Sequence, residues 1–458
     1  MVAAGRRSHA RALDVWANGQ HVGQWRISGQ GEDSFQYASA WMEAAEARPL
    51  SLSLPMPLDA NAPPLRGARV RNYFDNLLPD SESIRARLQA RFHTASKGAF
   101  DLLKAIGRDC VGAVQLLPEG AFPGEVFRID VEPLDEAGVE RMLRAAVAAP
   151  ARAFGGAAAD ADEFRISIAG AQEKTALTRH EGRWCRPLGA TPTTHIFKLP
   201  LGLVGNRQAD MRTSVENEWL CARLLEEFGV PVAACEIARF GEQKVLVVER
   251  FDRRLARSGN YWLRLPQEDF CQATATSPAL KYEADGGPGL VDIARILQSA
   301  ETPATDLRIL LKAQLLFWLL AATDGHAKNF SLFLLAGGRY RLAPLYDVLS
   351  AWPVAGPGPN RLDPARLRLA MALRGRNVHY RLRDIQRRHF NATAYRCGYG
   401  ADMEDLIEEV LAQVGPALDR VEASLPAGFP EDVFVAIAAG MRAAAARLNH
   451  NTDTKGAA

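Results

Sequence analysis

Two cysteines of this 458-residue chain never lie closer than 14 positions, so the sequence holds no CxxC zinc or redox motif. The six that occur, Cys110, Cys185, Cys221, Cys235, Cys271 and Cys397, read as small buried hydrophobes. A signal-peptide core is also missing, because "MVAAGRRSHARA" carries charge without an apolar stretch. The longest strongly apolar run, around 315 to 322, falls far short of the roughly 20 residues a membrane span needs. The net charge is only +2, which excludes wholesale coating of nucleic acid and leaves room for a local basic patch. There is no Walker loop and no internal repeat. These absences describe a reduced, cytoplasmic protein with no membrane association. What is present, 48% hydrophobic and 24% charged residues, is the profile of a globular chain able to bury a sizeable core. Its length suggests two or three domains.

The first 120 or so residues read as α+β. "LDVWANGQHVGQWRI" alternates around an Asn18-Gly19 turn, a hairpin signal. "RPLSLSLP" (48 to 55) alternates like a half-buried strand, and "VGAVQLLP" (111 to 118) reads as another. "FDNLLPDSESIRARLQARF" (74 to 92) opens with a capping signal and turns helical. The Ala-rich stretch 143 to 163 marks a flexible joint. Strand-like segments follow: "FRISIAGAQEKTALTRH", "GRWCRP" and "HIFKLP". "SVENEWLCARLLEEFG" (214 to 229) is an amphipathic helix closed by Gly229, and "KVLVVERFDRR" (244 to 254) a buried strand running into charge. From about 290 helices dominate: 291 to 299, 306 to 322, 402 to 423 and 430 to 448. One hairpin, "FSLFLLAGGRYRLAPLYD", interrupts them at Gly337-Gly338.

The stretch "TDGHAKNF" (323 to 330) concentrates polar groups directly after a buried helix. Gly325 permits a tight bend there. The following hairpin should return Asp347 to Asn329, so that Asp324, Asn329 and Asp347 converge. A phosphoryl-transfer site needs a carboxylate to take the proton of an attacking hydroxyl and oxygen ligands for Mg²⁺. The five-residue step from Asp to Asn matches the catalytic loop of protein kinases. Such a site also needs a strand lysine for the phosphates. Lys198 fits, with Glu218 as its partner on the next helix and Glu216 as the rival. "SIAGAQEK" (167 to 174) supplies small residues for a phosphate loop, and "VLVVERF" supplies a hinge at Glu249 and Phe251. These elements occur in kinase order.

The motifs resemble one family, the HipA serine/threonine kinase toxins of bacterial type II toxin–antitoxin modules. The likeness rests on "RPLSLSLP", "FDNLLPDS", "FDLL", "GRDCVGAVQLLP", "FRISIAGAQEKTAL", "TPTTHIFKLP", "VERFDRR", "LRLPQEDFCQ", "KYEADGGPG", "ATDGHAKNFS" and "YDVLSAWP", with "LPAGFPEDV" beyond them. It implies an α+β, two-lobed protein-kinase-like fold. An extra N-terminal subdomain (1–150) precedes an N-lobe (151–254), a mostly helical C-lobe (255–450) and a tail (451–458). It implies Asp324 as catalytic base, Asn329 and Asp347 as Mg²⁺ ligands, Lys198 on the ATP phosphates, and Glu249 and Phe251 on the adenine. Ile168, Ala169, Gly170, Ala171 and Gln172 match the phosphate loop, with Ile168 where the family usually has Val. Ser167 matches the serine that the family autophosphorylates. His326 is expected to orient the loop and Lys328 to reach the γ-phosphate.

The resemblance also implies partners: a helix-turn-helix antitoxin like HipB, and operator DNA through that complex. The segment 361 to 390 holds nine Arg against Asp363 and Asp384, so Arg381, Arg383, Arg387 or Arg388 could touch phosphates. The implied protein substrate is an aminoacyl-tRNA synthetase, the glutamyl enzyme first. Two other readings compete. A small-molecule phosphotransferase of the aminoglycoside type shares the Asp-x4-Asn loop but lacks the long N-terminal region. A non-enzymatic antitoxin-docking module would not need Lys198, Asp324, Asn329 and Asp347 together.

Overall fold

The computed structural model describes residues 10–147, 172–205 and 207–450. The chain falls into two units, each drawn from separate segments. The first comprises Met1–Ile196, Asp252–Ala279 and Phe333–Arg339; the second comprises Phe197–Phe251, Leu280–Leu332 and Tyr340–Ala458. The three-part division read from the sequence follows chain order, whereas both units recruit segments from distant parts of the chain.

In the first unit β1 (Arg11–Ala17), β2 (Gln20–Ile27), β3 (Asp33–Tyr37), β4 (Leu65–Arg66) and β5 (Val114–Pro118) form an antiparallel sheet in the order β4-β3-β2-β1-β5. Asn18 and Gly19 turn β1 into β2 with φ of 47° and 82°, the positive values a two-residue hairpin requires. Helices Ala68–Asp75, Glu82–Phe92 and Ala99–Ile106 accompany the sheet. Its core is aromatic: Trp25 stacks on Phe74 at 4.2 Å and meets the edge of Phe100 at 5.0 Å. Strands Val131–Pro133, Lys174–His180 and Arg183–Pro187 pair antiparallel in the same unit.

The alternating "RPLSLSLP" is a turn, not a strand, with only an isolated bridge between Ser51 and Leu54. Its serines explain the difference. Ser51 Oγ accepts the Ser53 N–H at 3.1 Å, and both hydroxyls donate to the Gln272 carbonyl, at 3.3 and 2.6 Å. Local side-chain bonds have replaced a strand ladder.

Several of the motifs quoted above meet in a buried ionic cluster of this unit. Arg253, whose side chain is 1% exposed, donates to Asp109 Oδ1 at 2.9 Å and to the carbonyls of Gly112 and Cys110 at 2.7 and 2.9 Å. Asp109 Oδ2 accepts from the Thr193 N–H and hydroxyl, at 3.0 and 2.6 Å, and Asp252 accepts the Gly112 N–H at 2.7 Å. "GRDC", "TPTT" and "FDRR" therefore serve the interior.

In the second unit the antiparallel pair Cys235–Phe240 and Gln243–Glu249 lies with the helix Ser214–Glu227. That helix is buried on most of its surface rather than along one stripe. It can be, because its polar residues are paired inside: Asn217 bonds the Ser350 carbonyl and N–H, each at 2.8 Å, and Glu216 is held by Lys244. The helix Pro303–Leu320 begins on a proline and is apolar nearly all round, as a central helix should be. Leu290–Leu297, Glu404–Ala423 and Glu431–His450 match the expected helical regions, and Arg387–Arg396 is an added helix inside the Arg-rich segment. Among the described residues no helix is long and apolar enough to cross a membrane. The six cysteines form no disulfide. Most of the joint 143 to 163 and the tail 451–458 lie outside the described residues.

Candidate active site

Lys198 ends the strand His195–Lys198 and is buried. Its Nζ lies 2.6 Å from Glu218 Oε1 and 2.7 Å from Asp347 Oδ1. The choice between Glu218 and Glu216 is thereby decided, since Glu216 pairs with Lys244. Burial works against the Lys198 charge, but the carboxylates of Asp347 and Glu218 outweigh it and raise its pKa above the ordinary lysine value. Lys198 therefore stays an ammonium ion. Asp347 has φ of 62°, a left-handed conformation uncommon for a residue with a Cβ. Glu218 and Asp347 belong to the wall of a small cleft, whose other walls include Ala222, Val232, Val248, Leu345 and Tyr346. Backbone bonds hold this wall: Ala233 N–H donates to the Leu345 carbonyl, and Leu345 N–H to the Pro231 carbonyl, both at 2.8 Å.

The loop around Asp324 is built on the end of the helix Pro303–Leu320. Ala321 stops that helix at φ of 51°, and Ala322 N–H caps the Phe317 carbonyl at 2.8 Å. Glycine at 325 answers a close approach and not a left-handed turn: a Cβ there would stand 2.5 Å from the Phe317 ring. The Asp324 carbonyl accepts the His326 N–H and the Asn329 side-chain amide, each at 2.8 Å. Asn329 thus uses its nitrogen inside the loop, and its side-chain oxygen is the atom suited to a cation. The Asp324 carboxylate is 57% exposed, with His326 Nε2 3.8 Å from its Oδ1. His326 and Lys328 are buried, Lys328 in the turn Ala327–Asn329.

Two tyrosines complete the site, and neither stands out in the sequence. Tyr282 donates its hydroxyl to Asp324 Oδ1, and its ring meets His326 edge-on at 5.0 Å. Tyr346 donates to the Lys328 carbonyl at 2.8 Å, shares a hydrogen bond with Ser331 Oγ at 2.6 Å and lies 5.7 Å from the Phe251 ring. It links Phe251, the Asp324 loop and Asp347 by direct contact and chain adjacency. Both lie in quoted motifs, "KYEADGGPG" and "YDVLSAWP". The available signal was a tyrosine beside a charged residue in each.

Glu249 is exposed and Phe251 half-buried at the end of the strand Gln243–Glu249. Gln172 is half-buried in the first unit, while Ser167, Ile168, Ala169, Gly170 and Ala171 lie outside the described residues. Of the four candidate DNA contacts, Arg381, Arg383 and Arg388 are exposed. Arg387 is corrected: its side chain is only 7% exposed and is clamped between Glu404 and Glu408, so it is not presented to a phosphate backbone.

Residues 13–117 match the HipA N-terminal domain, and residues 166–418 match the HipA-like C-terminal domain. A protein of Sinorhizobium fredii named "Putative kinase Y4mE" is 36% identical over 353 residues, 76% of this chain and 79% of that one. The "Serine/threonine-protein kinase toxin HipA" of Shewanella oneidensis is 28% identical over 326 residues, 69% of each chain. The solved complex of Shewanella oneidensis HipA with HipB and its operator DNA matches with a TM-score of 0.76 at 23% identity, covering 96% of this chain and 98% of that chain. The chain belongs to the HipA family. Its fold is the α+β, protein-kinase-like fold of HipA.

Proposed function

We propose that the chain is an ATP- and Mg²⁺-dependent protein serine/threonine kinase, the toxin of a toxin–antitoxin pair. The observation that carries this reading is the buried Lys198 between Glu218 and Asp347, in the same unit as the Asp324–Asn329 loop. The name of the Shewanella oneidensis relative supports the kinase and toxin assignments.

The residues fit the groups this activity needs. Glu249 and Phe251, at the end of the strand Gln243–Glu249, serve as the hinge for the nucleobase. The Asp347 carboxylate and the Asn329 amide oxygen are hard oxygen donors of the kind Mg²⁺ prefers, and the strained backbone at Asp347 points to a functional constraint there. Bound Mg²⁺ supplies charge neutralisation for the phosphates. Lys198 holds phosphate oxygens, and Glu218 keeps it oriented. Asp324 takes the proton from the acceptor hydroxyl as that oxygen attacks. Lys328 and the loop 168–172 add cationic and backbone donors, and His326 fixes the loop.

The further parts of the proposal rest on the family. Phospho-Ser167, with about −1.5 to −2 charges, repels incoming ATP phosphates and inactivates the enzyme. A Ser167→Asp chain that bound ATP as tightly as the parent would remove that idea. The substrate is an aminoacyl-tRNA synthetase in the cytoplasm, the glutamyl enzyme favoured. A HipB-like antitoxin brings the chain to operator DNA, where the exposed Arg381, Arg383 and Arg388 contact phosphates. The assembly of Shewanella oneidensis HipA with HipB and operator DNA supports this partnership.

The test is incubation with labelled ATP, Mg²⁺ and cell extract, beside Asp324→Gln. Label on the chain itself and on a synthetase-sized band, absent in the variant, is the expected result. Label confined to a small molecule overturns the protein-kinase reading.

A further inference from the structure

The segment 280 to 289 is held with little freedom. The Tyr282 carbonyl accepts the N–H groups of Asp285 and Gly287, at 3.1 and 3.0 Å. Next in the chain, the Glu283 side chain is only 6% exposed, takes the Ala372 N–H at 2.6 Å and is paired with Arg374. The glycines that follow leave no room to shift. A Cβ at Gly287 would stand 2.0 Å from the Leu280 carbonyl oxygen, and one at Gly289 would stand 2.4 Å from the Glu283 carboxyl carbon. A tight backbone knot, anchored to the strand Arg368–Arg374, therefore carries a single phenol to Asp324.

The Asp324 side chain is mostly exposed and would otherwise sample several rotamers. Its two fixed neighbours fall on one oxygen: the Tyr282 hydroxyl donates to Oδ1, and His326 Nε2 lies 3.8 Å from the same atom. The edge-on contact between the Tyr282 and His326 rings locks those neighbours to each other. Oδ2 is the other oxygen of this mostly exposed carboxylate.

We infer that Tyr282 is a positioning residue for phosphoryl transfer, holding Asp324 by Oδ1 so that Oδ2 receives the proton of the acceptor hydroxyl. This rests on the reading of Asp324 as the catalytic base. In the step, the acceptor oxygen forms its bond to the γ-phosphorus. The bond from that phosphorus to the bridging oxygen of ADP breaks. The acceptor proton passes to Asp324 Oδ2, and Tyr282 keeps its own proton throughout. The phenol's contribution is geometric, because a base must stand within hydrogen-bond reach of the proton it removes.

The experiment compares the full chain with Tyr282→Phe, Tyr282→Ala and Asp324→Gln. Protein-bound label from ATP in cell extract gives kcat and the KM for ATP. A fluorescent ATP analogue gives nucleotide affinity, and thermal unfolding checks the fold. Tyr282→Phe keeps the ring on His326 and removes only the hydroxyl. It is expected to lower kcat by roughly 10- to 100-fold, leaving KM for ATP, nucleotide affinity and Tm close to the parent. A Tyr282→Phe chain as fast as the parent overturns the proposal, even if Tyr282→Ala is slow, because the ring alone then matters. A faster Tyr282→Phe chain also overturns it, since the phenol would then be competing with the acceptor. So does a loss confined to nucleotide affinity. Full activity in Asp324→Gln defeats the base assignment itself. An inactive Asp324→Gln beside an unimpaired Tyr282→Phe defeats only the role of Tyr282.

Discussion

Arg253 in the first unit and Lys198 in the second are both buried cations, and the two are held in opposite ways. In the first, Arg253 spends its donors on the carbonyls of Gly112 and Cys110 as well as on Asp109. Backbone oxygens cannot turn away, so the guanidinium is a permanent part of the interior. In the second, Lys198 faces two side-chain carboxylates from different segments, Glu218 on a helix and Asp347 in a left-handed loop residue. Asp347 is 30% exposed at its side chain and borders the cleft. Carboxylates on rotatable side chains can yield a lysine to a phosphate or accept a metal ion. On the proposed function, the same burial of positive charge is architecture in one unit and machinery in the other, and the identity of the partner atoms separates them.

Substitutions can break this contrast. Arg253→Met is expected to cost about 3–5 kcal/mol of stability, read by denaturant unfolding, because it removes the guanidinium that holds Asp109 and two buried carbonyls. Lys198→Met is expected to reduce transfer by at least about 100-fold while shifting Tm less than Arg253→Met. The half-open Asp347 can take up water where Glu218 alone could not. Equal Tm losses in the two variants would erase the distinction.

A buried acid in the first unit sharpens it. Burial pushes the Glu268 pKa up to about 8 against the pull of Ser51 and the Leu52 N–H, and Asp269 adds to the rise. The folded value exceeds the ordinary 4.5, so the folded state holds the proton more tightly. The resulting stability is fully present below about pH 4.5 and is lost as pH climbs through 8. Unfolding measured from pH 5 to 9 should show this decline in the parent chain and a flatter curve in Glu268→Gln. The smallest effect is expected between neighbours on one helix. Glu218→Gln should slow transfer by roughly 10-fold, whereas Glu216→Gln, which loses only Lys244, should stay within about 2-fold.

The sequence was most legible where spacing itself encodes chemistry. The step from Asp324 to Asn329 and the strand lysine Lys198 could be picked out as letters. Their contacts to Asp324's carbonyl and to Glu218 follow from ordinary loop and helix geometry. It was least legible where a side chain acts across the chain. Tyr282 lies 42 positions from Asp324, and a tyrosine in a glycine-rich stretch looks like any aromatic anchor. Arg387 reads as a surface base until the following helix supplies Glu404 and Glu408. Ser51 and Ser53 imitate strand alternation because a turn stabilised by hydroxyls has the same period over so few residues.

The backbone of Asp347 has a further consequence. An L-residue in the left-handed region is held there at roughly 1 kcal/mol above its relaxed state. Glycine would relax it but would take from the buried Lys198 a carboxylate 2.7 Å away, and breaking a buried pair costs about 3–5 kcal/mol. A library screened only for thermal tolerance should therefore keep an acid at this position, because the strain of the loop and the charge of the lysine are retained or lost together.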